Sequence, residues 1–340
     1  MIELLDCTLR DGGHTNNWDF SEAQIASVLN NLTNAGMDYI EVGYLTSILQ
    51  DVQGSTFLNM KSASRFLPTD RKNCKYVLMS DVFQFDANSL SERDENTADG
   101  IRVVFYKRQI DQTLPFCEKV VQKGYDLLLQ PMVTVDYSQQ EFEALVEKFC
   151  GSLPTYAVSI VDSFGCMTTK ELRSFVSILD ENLDKNIKIG FHGHNNMLLA
   201  QVNASLFFEM QNDRDYIIDS SVNGMGRGAG NLQTELIAHY YNAQYGEKYD
   251  LDSIFRVISE VTEPEFEKNQ WGYSPYYMIT AMRCAHPNFA SYLLAEHDVS
   301  VSDFAEYIKL IAPEMLSKCT RTYVDELYLQ FTEMKAKRTQ

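Results

Sequence analysis

The strongest constraint on this chain is its rhythm. Through the first 245 residues, short apolar runs alternate with longer stretches patterned at helical spacing. That alternation predicts a parallel sheet whose strands are joined by crossover helices. The first unit shows it. Residues 2–8 form an apolar run, Ser21 and Gln24 are spaced as a capping box, and Ile25, Val28, Leu29 and Leu32 recur on one helical face before Gly36 ends the helix. Further strand-like runs cover residues 39–43, 76–79, 101–105, 126–132, 157–161, 187–192 and 216–222, making eight in all. Eight strands over some 240 residues fit a closed TIM (β/α)8 barrel better than an open doubly wound sheet. Residues 246–340 read as helical, with Ile254, Val257, Ile258 and Val261 on one face and Ser302 opening a later helix. The expected division is a catalytic α/β barrel over residues 1–245 and a C-terminal helical extension over 246–340, acting as a cap or association region.

Composition narrows the function classes without naming an activity. Lys plus Arg number 29 against 47 Asp plus Glu, a net charge of −18, which opposes broad contact with nucleic acid or an anionic membrane. The basic cluster of Lys335, Lys337 and Arg338 reads as a solvated tail. No apolar run is long enough for a membrane span, and the amino terminus lacks the order of a secretion signal, so a cytoplasmic protein is expected. Seven cysteines, odd in number and never in a C-x-x-C pair, predict reduced, mostly buried thiols rather than a disulfide framework or a zinc cluster.

In a TIM barrel the residues just after each strand form the active site. Three such places stand out. After strand one comes Asp6-Cys7-Thr8-Leu9-Arg10-Asp11-Gly12-Gly13-His14, which brings an arginine, a carboxylate and an imidazole together among glycines. Ordinary turn chemistry with a surface Arg10–Asp11 pair is the bland alternative. On strand seven, side-chain alternation turns Ile187, Ile189 and Phe191 toward the outer helices and His192 and His194 into the barrel mouth. Two inward histidines two residues apart suit a metal, and Asp11 completes a two-histidine, one-carboxylate set with open positions. Core histidines satisfied by hydrogen bonds are the competing reading. After strand eight, residues 223–231 form a glycine-dense loop running into the helix that contains Glu235; glycines there can turn backbone N–H groups to an anion, a weak signal alone.

Together the three segments resemble the DRE-TIM metallolyase superfamily: Leu9-Arg10-Asp11-Gly12, then His192-Gly193-His194-Asn195, then Gly224-x-Gly-x-Gly-x-Gly-Asn231, in order along the barrel. The resemblance implies a divalent metal on Asp11, His192 and His194, with Asn231 as a further ligand or neighbour and Arg10 as the electrophilic residue beside it. Manganese comes first, with magnesium, cobalt and zinc compatible with the same donors. Gly13-His14 is similar to the pattern of the 4-hydroxy-2-oxovalerate (pyruvate) aldolase branch, which makes His14 the catalytic base. Asp162-Ser163-Phe164-Gly165 resembles that branch's Asp-Ser-Gly-Gly, placing Ser163, with Arg10 and His192, at the substrate; Phe164 departs from the pattern. A C-terminal tyrosine is matched by Tyr273, with Tyr276 competing and simple packing of the cap as the bland alternative. Glu41 reads equally as a carboxylate near the metal or half of a salt bridge inside the barrel. Cys7 and Cys166 adjoin these motifs without an evident base and read as packing residues.

The implied reaction is cleavage or formation of a 4-hydroxy-2-oxo acid from pyruvate, or a close 2-oxo acid, and an aldehyde. The alternatives are a Claisen-type acyltransferase of the isopropylmalate or citramalate synthase kind, non-haem iron oxygenation on the same ligand set, and a degenerate barrel kept for binding. The helical extension suggests association. A homodimer is the default expectation, and related aldolases dock an aldehyde dehydrogenase on a comparable region. The −18 envelope disfavours an anionic substrate at long range, so the metal, Arg10 and Arg227 are expected to supply a local positive centre.

Overall fold

The computed structural model describes residues 1–47, 54–210 and 213–339. Its eight barrel strands are Ile2–Asp6 (β1), Tyr39–Leu45 (β2), Lys75–Asp81 (β3), Gly100–Phe105 (β4), Asp126–Pro131 (β5), Thr155–Asp162 (β6), Lys188–Gly193 (β7) and Tyr216–Ser220 (β8). Neighbours pair in parallel, and β1 pairs with both β2 and β8, which closes the sheet into a TIM barrel. A two-residue strand, Thr56–Phe57, adds to the outer end of β2. The eight expected runs all lie on barrel strands. The first helix forms as its sequence dictates, over Glu22–Ala35: Ser21 and Gln24 make a reciprocal capping box, and Gly36 adopts the left-handed conformation that ends it, φ 81°.

Side-chain alternation sorts each strand into two faces. Ile189 and Phe191 pack outward in the main core, while Leu5, Cys7, Tyr39, Val77, Leu128, Ala157 and Ile217 fill a layer inside the barrel. Toward the carboxyl ends that apolar layer gives way to charged residues. Glu41 of β2 and Asp219 of β8 are buried two positions beyond Tyr39 and Ile217 of that layer, and Arg102 of β4 is buried in register with Leu128. In β2 the pairing register with β3 shifts between Glu41 and Tyr44. This bulge lets an odd- and an even-numbered residue both point inward: Tyr44 lines the cavity described below, and Glu41 meets Arg10 and Arg102 inside the barrel.

The carboxyl-terminal region is helical among the described residues. Ile254, Val257 and Val261 are fully buried against the barrel, where their segment packs on Glu22–Ala35. Residues from Ala285 to Phe331 build a separate apolar core. The later helix begins at Val301, capped by Ser300, because that serine accepts the Asp303 N–H; Ser302 lies inside it. The basic tail belongs to the helix Arg321–Thr339, and Lys335 and Arg338 make exposed ion pairs with Asp303 and Glu306. No described helix is long and apolar enough to cross a membrane.

One expectation is corrected. Cys166, just after β6, and Cys284, in the carboxyl-terminal region, form a disulfide with Cα atoms 5.6 Å apart. They are 118 residues apart in sequence, so only the fold brings them together. Cys7, Cys74 and Cys117 are free and buried, and Cys150 and Cys319 are free and half-buried.

Candidate active site

At the carboxyl ends of the strands a cavity of about 340 Å3 opens, lined by residues from most of the strand ends and by His286, Pro287 and Asn288 of the carboxyl-terminal region. Arg10, Asp11, His14, Ser163, His192 and His194 all line it. Asp11 Oδ2 is 3.0 Å from His192 Nε2, 3.8 Å from His194 Nε2 and 2.9 Å from Arg10 Nη1. Arg10 Nε donates to Glu41 Oε2 at 2.7 Å, and Glu41 also accepts from Arg102 Nη1 at 2.8 Å. Arg102 pairs in turn with Asp219, whose Oδ2 lies 3.0 Å from His192 Nδ1. The contacts form a closed circuit through Asp11, Arg10, Glu41, Arg102, Asp219 and His192. Glu41 is thus half of a salt bridge inside the barrel.

This circuit carries three carboxylates against two guanidinium groups and the His192 ring, all buried, so its balance takes one further positive charge, a proton on His192 or a bound cation. An excess of negative charge in a low-dielectric interior is costly unless a cation compensates it. Among the buried oxygens, Asp11 Oδ1, Asn231 Oδ1 and Asp219 Oδ1 have no hydrogen-bond partner. Two imidazole Nε2 atoms facing a carboxylate suit a divalent ion, and these residues fit one. A cluster of Cys7, Asp11 and His192 offers a second geometry, but Cys7 Sγ donates to Ser220 O and burial raises its thiol well above the ordinary range. The Asp11 and histidine set is the better match for a hard ion. Asn231 bridges His194 through the backbone and donates its Nδ2 to Met225 O; it does not line the cavity.

Protonation follows from these contacts. Burial opposes charge on Asp11, but Arg10 and the two histidines outweigh it and hold the carboxyl well below its usual range. Burial likewise opposes charge on His192, yet its bonds to Asp11 and Asp219 raise it. Burial, and then Arg227, pushes His14 well below 6.5, so its ring is neutral. His286 is lowered to about 3 by the same two causes.

Ser163 accepts the Val133 N–H at 2.9 Å, which leaves its hydroxyl proton free toward the cavity. Phe164 also lines the wall and meets the His286 ring edge to face, centroids 5.5 Å apart. The aromatic loop is different. Tyr273 is 57% exposed and does not reach the cavity, and the Tyr276 hydroxyl donates to Val299 O inside the carboxyl-terminal region. Tyr44 and Tyr106, at the ends of β2 and β4, are the tyrosines of the cavity wall. In the glycine loop the N–H groups of Gly224, Gly230 and Asn231 bond within the loop and its flanks, and that of Ala229 goes to Asn196 Oδ1, so these four are not turned to an anion.

Sequence reasoning missed Arg102, Asp219 and His286. The first two carried a signal, a charged residue within an apolar strand at inward parity. His286 carried none, because it enters the cavity from a distant helical segment.

A closed (β/α)8 barrel with a polar, histidine-bearing cavity at its carboxyl mouth defines a TIM-barrel enzyme. The chain belongs to the HMGL-like (DRE-TIM) family of metallolyases, whose pattern it matches over residues 106–261. It is 31% identical over 257 residues to a 4-hydroxy-2-oxovalerate aldolase of Bacillus cereus, covering 74% of this chain and 72% of that one. It is also 27% identical to an oxaloacetate decarboxylase of Mycobacterium tuberculosis, over 74% of each. The N-terminal domain of an aldolase candidate from Bacteroides vulgatus superposes with a TM-score of 0.71 at 25% identity, covering 87% of this chain and 97% of that structure.

Proposed function

We propose that the protein is a divalent-metal-dependent aldolase that cleaves or forms a 4-hydroxy-2-oxo acid from pyruvate, or a close 2-oxo acid, and an aldehyde. The observation that carries this reading is the juxtaposition of Arg10, Asp11, His192 and His194 with a neutral His14 around one cavity. Asp11, His192 and His194 would hold the ion, manganese in the first instance. When bound, it supplies a Lewis acid for the carboxylate and 2-oxo oxygen of the substrate.

The chain's own groups do the rest. Arg10 commits Nε and one terminal amino group to Glu41 and Asp11. Its other amino group, without a protein acceptor among the described residues, faces the charge that develops on the 2-oxo oxygen. Because Arg227 donates to His14 Nδ1 at 3.0 Å and a guanidinium only donates, the neutral ring carries its proton on Nε2 and its lone pair on Nδ1. In the cleavage direction His14 receives the 4-hydroxyl proton at Nδ1, once Arg227 gives up that lone pair, as the C3–C4 bond breaks. Ser163 orients the substrate through its free hydroxyl proton. Neither Tyr273 nor Tyr276 enters this account as the structure stands. We assign self-association, as a homodimer, to the carboxyl-terminal region, and regard the protein as cytoplasmic. Co-purification tests a dehydrogenase partner.

The testing experiment incubates pyruvate with a panel of aldehydes, with and without each metal, and reads new carbon–carbon bonds. Metal-dependent condensation supports the reading. Release of CO2 from oxaloacetate with no aldehyde consumed would place the chain with its decarboxylating relative instead.

A further inference from the structure

Arg227 reaches the cavity with no carboxylate on it. Among the described residues its guanidinium meets only two side chains, His14 Nδ1 at 3.0 Å from Nη2 and His286 Nε2 at 3.5 Å from Nη1. The other two arginines of the barrel interior each hold two carboxylates: Arg10 has Asp11 and Glu41, and Arg102 has Glu41 and Asp219. In a chain of net charge −18, an arginine left without an acidic partner at a cavity is an exception that calls for a cause.

The contact with His286 sharpens this. The Asn288 backbone N–H donates to His286 Nδ1 at 3.1 Å, so a neutral ring carries its proton on Nε2, the atom that faces Arg227. Two donors therefore confront each other, and the missing element is an acceptor between them. The arrangement is also held in place from both sides. Gly228 and Gly230 adopt positive φ, 67° and 80°, and a Cβ at position 228 would come within 2.7 Å of Asn196 Oδ1, so the loop that presents Arg227 depends on glycine. The Cys166–Cys284 disulfide and the Phe164 ring tie the segment that carries His286 to the loop after β6.

We propose that Arg227 and His286 bind a carboxylate or phosphate group on the acceptor aldehyde, so that the enzyme selects acidic aldehydes over neutral ones. The inference rests on the aldolase reading. There, Arg10 touches the metal ligand Asp11 at the pyruvate half, whereas Arg227 touches His14, the base for the hydroxyl on the carbon that comes from the aldehyde. A cavity of about 340 Å3 lies within the range of about 300–1,000 Å3 that holds drug-sized ligands, so it has room for an acceptor longer than a two-carbon aldehyde. Binding of the anion has a second effect. The guanidinium that turns to it releases His14 Nδ1, the lone pair that must receive the hydroxyl proton.

The test compares kcat/KM for metal-loaded protein condensing pyruvate with succinic semialdehyde, glycolaldehyde phosphate and neutral butanal, in wild type, Arg227→Gln, Arg227→Lys and His286→Gln. Wild type should favour at least one acidic aldehyde, the carboxylate and phosphate arms deciding which anion. Arg227→Gln should cut the acidic-to-neutral ratio about ten- to a hundredfold, the effect of one charge-assisted contact, with Arg227→Lys retaining part of it. Equal use of neutral aldehydes by wild type overturns the proposal. So does a raised KM for pyruvate in Arg227→Gln with an unchanged ratio, which would place Arg227 on the donor. If no aldehyde condenses, the aldolase reading falls and calorimetry decides the anion site separately: tighter binding of the acidic aldehydes, lost in Arg227→Gln, supports it, and no difference overturns it.

Discussion

Asp219 accepts from His192 Nδ1 at 3.0 Å while the opposite ring nitrogen of that histidine points at Asp11. One carboxylate thus fixes which nitrogen is left for a metal, and Arg102 anchors that carboxylate from behind. The ligand face is set by a strand neighbour that never reaches the cavity.

Loss of that support should weaken the metal without deleting a ligand. Asp219→Asn is expected to lower affinity for the divalent ion about 10- to 100-fold, read by competition with a chelating dye. Unchanged affinity would show that Asp219 serves only the charge circuit with Arg102.

Arg10 joins two carboxylates and faces the cavity, so its removal has two separable effects. Arg10→Ala is expected to raise the barrier by about 3 kcal/mol, roughly a hundredfold in kcat, and to lower Tm because Glu41 and Asp11 lose a buried partner. Arg10→Lys should restore little, since one ammonium cannot reproduce the planar fork. Wild-type turnover by Arg10→Ala with metal bound would contradict the role assigned to it.

Burial and Arg227 lower His286 to about 3 in the folded protein, against about 6.5 for an unfolded imidazole. Below about pH 6.5 the unfolded chain therefore binds a proton that the folded chain refuses, and stability falls by up to about 1.4 kcal/mol per pH unit for this group. His14 acts in the same sense. His192 acts oppositely: its value is raised, so its contribution is present below about pH 6.5 and is lost as pH rises through the folded value. Metal-free wild type should thus lose more Tm than His286→Gln between pH 7 and 5. Parallel losses would remove His286 from the balance.

The barrel was legible because eight apolar runs and their capping signals agree at every level, as Ser21, Gln24 and Gly36 do around one helix. His192 and His194 were legible by strand parity, and Asp11 by its place after β1. What lay beyond reach were contacts created by closure. The Cys166–Cys284 disulfide spans 118 residues, and His286 approaches Phe164 only because the carboxyl-terminal helices fold over the mouth. Asp219 and Arg102 were within reach, since an ionised side chain within an apolar strand is buried only if paired. Tyr273, the match for a family tyrosine, is largely exposed and lies outside the cavity wall, a placement that residue type and order alone do not reveal.

The most direct test of the central claim needs no knowledge of the aldehyde. Pyruvate is incubated with the protein in deuterated water and deuterium in its methyl group is read by mass spectrometry, for metal-stripped protein, protein reloaded with manganese, and the reloaded Asp11→Asn and Arg10→Ala variants. Metal-dependent chemistry at the 2-oxo acid predicts exchange above background only in the reloaded wild type, with both variants at or near background. Exchange that persists in stripped protein, or that Asp11→Asn retains in full, would contradict it.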